Sequence, residues 1–386
     1  MPGMALKVSR RTDIAPFFVM EVMRAADERE EAGGDVLHLE VGQPATPAPK
    51  LAREAAIAAI DNEVLGYTSA VGIEPLRKRL ARHYREWYDV DVSPDRFVVT
   101  MGASGAFTLA FLACFEAGDK VVVPSPGYPC YRNTLSALDV EVVDLAVGPE
   151  TRFQPSPELL ATLGPIDGLV VASPSNPTGT MLLPDELAAL VGWCRDNGVR
   201  LISDEIYHGI TYGTPAPTAA HHWADAVVVN SFSKYFSMTG WRLGWLLLPE
   251  NLVSPVERLA QNATVAAPTV SQWAALGAFE ATEELEDNIS RYAENRRILL
   301  TGLPDAGLDR LAPADGAFYV YADVSHITDD SQELCRRWLL DLGIAATPGI
   351  DFDPQRGHEY VRFSFAGDPS EMEATIERLR SWAEAR

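Results

Sequence analysis

Only five of the chain's 32 basic residues are lysines: Lys7, Lys50, Lys78, Lys120 and Lys234. An amine is the side chain that condenses with a carbonyl to give a Schiff base, so any such chemistry has few candidates. Lys7 is near the start, Lys78 lies in a charged amphipathic stretch, and Lys50 and Lys120 flank element starts. Lys234 alone follows a strand-like apolar run, Ala226–Asn230, among small polar residues, Ser231-Phe232-Ser233. Other polar residues follow apolar runs in the same way. Asn176 comes after Leu169–Ala172, and Asp204 and Tyr207 come after Arg200–Ser203. Gly102-Ala103-Ser104-Gly105 stands between a strand and a helix start, where free N–H groups and the helix dipole suit a phosphate. This set suits a phosphorylated aldehyde carried by Lys234. A carboxylate such as Asp204 keeps a pyridine nitrogen protonated and makes the ring an electron sink. Asn176 and Tyr207 can bond a phenolic oxygen, and Ser231 and Arg242 can add charge-assisted bonds to the phosphate.

Elements must bring these residues together. Residues 50–61 and 74–88 read as amphipathic helices, the second with Pro75 in its first turn. Apolar runs at 97–100, 120–123, 140–143, 169–172, 200–203 and 226–230 read as strands buried on both faces. Helices at 103–116, ending at Gly118, and 184–197, ending at Gly198, separate several of them. The alternation predicts an α/β fold with a mostly parallel sheet flanked by helices, which binds its ligand beyond the carboxyl ends of the strands. After about residue 250 the pattern changes: helix over 268–302, a strand at 316–324, helix at 331–342, a strand at 359–365 and a terminal helix at 370–385. The expected organisation is an N-terminal arm with part of a small domain (1–45), a large domain (46–280) and a C-terminal small α/β domain (281–386).

Composition narrows the function. The 386 residues carry a net charge of −22, which disfavours nucleic acid and anionic lipid as partners. No apolar run of about 18 residues exists to span a membrane, and the start lacks a secretory signal pattern. Cys114, Cys130, Cys194 and Cys335 show no Cys-x-x-Cys spacing and read as reduced thiols of a cytoplasmic protein. The histidines include no His-x-x-x-His pair, so no metal site is expected. Gly102–Gly105 is not Gly-x-Gly-x-x-Gly, which disfavours a nicotinamide enzyme.

Asn176-Pro177-Thr178-Gly179, Asp204-Glu205-Ile206-Tyr207, Ser231-Phe232-Ser233-Lys234 and Gly240-Trp241-Arg242-Leu243-Gly244 occur in this order and at these separations. In this the sequence resembles the class I/II aminotransferases of the fold-type I pyridoxal-phosphate enzymes, from about Val41 to Ser364. The resemblance implies pyridoxal 5'-phosphate bound to Lys234, which also shuttles the substrate proton. It implies that Asp204 pairs with the pyridine nitrogen and that Tyr207 and Asn176 bond the phenolic oxygen. Ala103, Ser104, Ser231 and Arg242 would hold the phosphate, and Tyr128 would stack on the ring. Tyr67 would reach the phosphate of a neighbouring subunit, so a homodimer with shared active sites is expected. Arg362 would grip the substrate carboxylate beside Gly42, and Ile14, Ala15, Pro16 and Phe17 would line the first-substrate pocket.

The expected reaction moves an amino group from an L-amino acid to a 2-oxo acid by a ping-pong Schiff-base route. The alternative is a β-elimination lyase on the same scaffold. A regulator would need an appended basic DNA-binding domain, for which the segment before Gly42 is too short. Residues 101–107 contain no cation for a distal carboxylate, so uncharged or aromatic donors are expected; Arg10, Arg11 or Arg24 could supply the missing charge. The same residues admit plainer roles: Asp204 as the cap of a helix starting at Glu205, Arg242 and Arg362 as surface ion pairs, Tyr67 and Tyr128 as packing aromatics.

Overall fold

The computed structural model describes residues 6–385. Helix α1 (Phe18–Glu31) and the short strand β1 (Leu37–His38) precede α2 (Lys50–Asn62) and α3 (Glu74–Tyr88). There follow β2 (Phe97–Thr100), α4 (Gly102–Cys114), β3 (Lys120–Ser125), α5 (Pro129–Ala137), β4 (Glu141–Ala146), α6 (Pro157–Leu160) and β5 (Gly168–Ala172). Next are α7 (Pro184–Asn197), β6 (Arg200–Asp204), β7 (Val227–Ser231), β8 (Gly244–Leu247) and α8 (Glu250–Ala263). The chain closes with α9 (Thr269–Ala278), α10 (Thr282–Asp305), β9 (Tyr319–Asp323), α11 (Ser331–Leu342), β10 (Ile344–Ala345), β11 (Thr347–Pro348), β12 (Tyr360–Ser364) and α12 (Pro369–Glu384).

Seven strands form one sheet in the order β2-β8-β7-β6-β5-β3-β4. Only β8 runs against its neighbours. Successive side chains of a strand face opposite sides, and here both sides are buried. Val99, Val122, Val171, Leu201 and Val228 join one apolar cluster, while Val98, Val121, Val170, Ile202 and Val227 join the other with Ala106, Phe107 and Ala110 of α4. That explains the near-continuous apolar runs in the sequence.

Smaller sheets complete the fold. β12 lies between β11 and β9, antiparallel to both, which sets Arg362 opposite Thr347 and Tyr321. β1 pairs in parallel with β10. Among the described residues, no helix is long and apolar enough to cross a membrane.

Some elements differ from expectation. Helix α4 stops at Cys114, and Gly118 makes the following turn at φ +92° instead of the helix end. The stretch 268–302 is two helices, broken at 279–281. β8 has no helix between it and β7, because an antiparallel neighbour needs no crossover. Helix α8 carries Pro255 inside it, a residue that reads as a helix breaker in sequence.

Candidate active site

Three sheet strands deliver their next residues to one cleft of about 400 Å³. Asp204 is the last residue of β6, Lys234 follows β7 by three residues, and Asn176 follows β5 by four. The N-terminus of α4 comes from the same sheet end, after β2. No side chain caps that helix start, so its first amides face the cleft uncapped. Gly102 takes φ +69°, and a Cβ there would sit 2.7 Å from Arg242 Nη2. A side chain at 102 would push the guanidinium away from the amides. Arg242 also donates from Nη1 to the Thr239 carbonyl at 3.1 Å. Ala103, Ser104, Ser233 and Arg242 line this end of the cleft.

Lys234 Nζ donates to the Gly42 carbonyl at 2.5 Å. Burial, helped by the nearby Arg362 charge and opposed by Asp204, lowers its pKa to about 8. Asp204 is buried, and burial raises its pKa to about 6. Its Oδ2 accepts from the Tyr131 hydroxyl and its Oδ1 from the Ile206 amide at 3.0 Å. Because a turn rather than a helix follows Asp204, it caps no helix. The Tyr207 hydroxyl lies 2.6 Å from the Tyr319 hydroxyl. Tyr128 stands in the wall, its ring 6.0 Å from that of Phe17.

Arg362 is buried at the other end. Its Nη1 donates to Asn176 Oδ1 at 2.9 Å, and its Nη2 to Thr347 Oγ1 at 3.1 Å and to the Glu40 carbonyl. Its Nε has no partner although it is buried. The guanidinium carbon lies 4.6 Å from the Tyr319 ring centre and 4.7 Å from that of Phe352. Neither Arg362 nor Arg242 has an ion-pair partner among the described residues, which removes the surface-pair reading. A planar cation with an unpaired N–H is suited to a carboxylate.

Not every expected residue reaches the cleft. Ile14 is 47% exposed and is absent from the wall. The arm is tied to the rim through Asn133 on the Ala15 carbonyl (3.2 Å) and Arg11 on Asp139 (2.9 Å), and it enters only at Phe17. Val19, Met20 and Met23 of α1 continue that wall instead. The α1 N-terminus is held by Asp351, whose carboxylate accepts from the Phe18 and Val19 amides at 3.0 and 3.3 Å. Ser231 is buried behind the wall. Its hydroxyl is used by the Leu243 carbonyl (2.9 Å) and Ser233 Oγ (2.8 Å), and Ser233 takes the cleft position. Tyr67 is 89% exposed on a loop outside the cleft.

Tyr131 and Tyr319 escaped sequence reasoning. Tyr131 stands one helical step of three residues from Tyr128, and Tyr319 alternates with Tyr321 in a mostly apolar strand. Those spacings were the available signals. Among the described residues no cluster of His, Cys, Asp or Glu could hold a metal ion.

The family model for aminotransferase class I and II matches residues 34–379. A valine–pyruvate aminotransferase of Mycobacterium tuberculosis is 53% identical over 381 residues, spanning 97% of this chain and 98% of that one. The crystal structure of an aminotransferase from Mycobacterium tuberculosis superposes with a TM-score of 0.97 at 52% identity, covering 99% of this chain and 100% of that one. The aspartate aminotransferase of Thermus thermophilus with maleate gives 0.92 at 31% identity, covering 98% and 100%.

Proposed function

Because the chain belongs to the aminotransferases of classes I and II, which move an amino group between an amino acid and a 2-oxo acid, we propose that it works on pyridoxal 5'-phosphate held in this cleft and prefers donors with uncharged side chains. The reading rests on one observation: a lysine with a lowered pKa shares a cleft with a buried carboxylate, an uncapped helix start and two arginines without acid partners.

The donor set fits the cofactor. The amides of Ala103 and Ser104, the Ser233 hydroxyl and Arg242 suit its phosphate. Asp204, raised to about 6 by burial despite the Lys234 charge, suits a pyridinium nitrogen that would favour its charged form. When bound, the cofactor supplies an aldehyde for the Lys234 amine and a protonated ring that takes up electrons as the substrate Cα–H bond breaks. With a pKa near 8, Lys234 is partly neutral at neutral pH. It can therefore act as nucleophile and then move the proton at Cα. Arg362 holds the substrate carboxylate beside Gly42. Asn176 and Tyr207 offer N–H and O–H to the phenolic oxygen, and Tyr128 covers the ring face.

Substrate preference follows from the wall. Phe17, Val19, Met20 and Met23 present apolar surface, and the cations among the lining residues are Lys234, Arg242 and Arg362. Arg11 is engaged by Asp139 and Arg24 faces Glu28 at 3.9 Å. The valine–pyruvate relative supports aliphatic donors with pyruvate as an acceptor. A steady-state panel of donors tests this. Aspartate beating every apolar donor by about tenfold, or about 1.4 kcal/mol, overturns the preference, and stoichiometric ammonia release would reveal a lyase.

The active unit we propose is a homodimer in which Tyr67 serves the partner's phosphate site. Val64 (97%), Tyr67 (89%), Ile60 (60%) and Ile57 (59%) are exposed, an apolar surface suited to burial against a second copy. A monomer by sedimentation at working concentration overturns it. The division into arm, large and small domains at about 45 and 280 is proposed on the seven-stranded sheet lying between residues 97 and 247 and the three-stranded one between 319 and 364. A cytoplasmic site is proposed on the four free cysteines.

A further inference from the structure

We infer that Tyr319 is a positioning residue with two separate tasks: its ring braces Arg362, and its hydroxyl orients the hydroxyl of Tyr207. The inference rests on the cofactor reading above and concerns a residue to which that reading gives no role.

The geometry is specific. One face of the Tyr319 ring lies 4.6 Å from the Arg362 guanidinium carbon. The hydroxyl at the far end of the same ring lies 2.6 Å from Tyr207 Oη. Room for that hydroxyl is reserved in the backbone, since a Cβ at Gly42 would stand 1.9 Å from it. Gly42 also offers its carbonyl to Lys234 Nζ at 2.5 Å. The Tyr319 side chain is therefore wedged between the carboxylate-binding arginine and the hydroxyl proposed for the phenolic oxygen.

Tyr207 has one proton. If that proton is donated to the cofactor's phenolic oxygen, Tyr207 Oη must accept its bond from Tyr319. A cation over the ring makes Tyr319 the more acidic phenol and hence the better donor. Hydrogen bonds in a chain polarise one another, so a donor behind Tyr207 strengthens the bond in front of it. A stronger donor at the phenolic oxygen lowers that oxygen's hold on the proton shared with the lysine-linked nitrogen. The charged and titratable groups facing this pair are Arg362 on β12, Lys234 after β7, Asp204 at the end of β6 and Tyr128 before α5. None is removed by a change at 319.

The test uses the purified holoenzyme. The absorbance of the lysine-bound cofactor is titrated between about pH 5 and about pH 10, and the affinity for 3-methylbutanoate, a carboxylate with no amine to react, is measured alongside. Tyr319→Phe keeps the ring and removes the hydroxyl. Its titration midpoint should rise by roughly half a pH unit, with carboxylate affinity within about twofold of wild type. Tyr319→Leu removes both, and should add a roughly tenfold loss of carboxylate affinity. A Phe variant with the wild-type midpoint overturns the hydroxyl task. A Leu variant that binds 3-methylbutanoate as tightly as the Phe variant overturns the ring task. If the wild type shows no band that Lys234→Ala abolishes, the cofactor reading itself fails and takes this inference with it. Should the Leu variant not fold, the Phe variant still decides the hydroxyl task, and Tyr319→Met, which keeps the bulk without a ring face, decides the ring task by the same binding measurement.

Discussion

On the floor of the cleft, Asp204, Lys234 and the start of α4 each stand within three residues of a sheet strand. On the roof, Arg362 is bonded to the Glu40 carbonyl across 322 residues of sequence, and Phe18 to Asp351 across 333. The floor inherits its geometry from a hydrogen-bonded ladder buried on both faces. The roof joins segments distant in sequence through side-chain bonds, Arg362 reaching out of its own small ladder to the Glu40 carbonyl, and residues 6–16 of the arm are exposed. A rigid floor suits bond chemistry, which tolerates little misplacement. A roof held by a few side-chain bonds suits recognition, where contacts change between substrates.

Substitutions on the two surfaces should therefore fail differently. Lys234→Ala should cut kcat by roughly 10⁴-fold or more while the thermal midpoint holds or rises, since a buried ammonium is lost. A midpoint that collapses with activity would break the distinction. Asp204→Ala should cost about 10²–10³-fold in kcat and about 1–3 kcal/mol of stability, because the Tyr131 hydroxyl is left without its acceptor. Parallel losses by kinetics and denaturant unfolding would recast Asp204 as structural. On the roof, Arg362→Lys should raise the KM of all amino acids about 10–100-fold, leaving kcat within a few-fold, because an ammonium cannot present a planar fork.

The smallest effect concerns pH. His38 lies 2.9 Å from the buried Glu40 carboxylate, and this bond raises its pKa from 6.5 to about 9. A raised folded-state pKa stabilises fully below about 6.5, and the contribution is lost as pH climbs through about 9. With the ring 37% exposed, solvent screening keeps it modest. Melting curves of wild type should fall with pH across that window more steeply than those of His38→Gln; identical slopes would remove His38 from the account.

The same division governs what could be read from the chain. Lys234, Asp204, Tyr207 and Asn176 were legible because each directly follows an apolar run that can only be a buried strand. The strands β2 to β7 were legible for the same reason, but β8, which lacks a helix before it, α8, which hides behind Pro255, and the short elements α5, α6, β10 and β11 were not. Tyr319 was not legible, since its neighbours Tyr207 and Arg362 are set by sheet register and lobe packing. Ile14 and Phe17 looked alike in sequence. Which one enters the cleft is decided by Asn133 and Asp351, 118 and 333 residues away from the arm residues they hold. Ser231 and Ser233 likewise differ only in which hydroxyl the Leu243 carbonyl has already taken.

The grip of Asp351 on the first two amides of α1 has a mechanical corollary. Asp351 lies between β11 and β12, the strand that carries Arg362, so the apolar wall formed by α1 is hung from the same segment as Arg362. If Arg362 holds the substrate carboxylate as proposed, a tilt of the β11–β12 segment would carry the α1 wall with it, and a bulky donor that props the wall open would also lift the arginine off its anion.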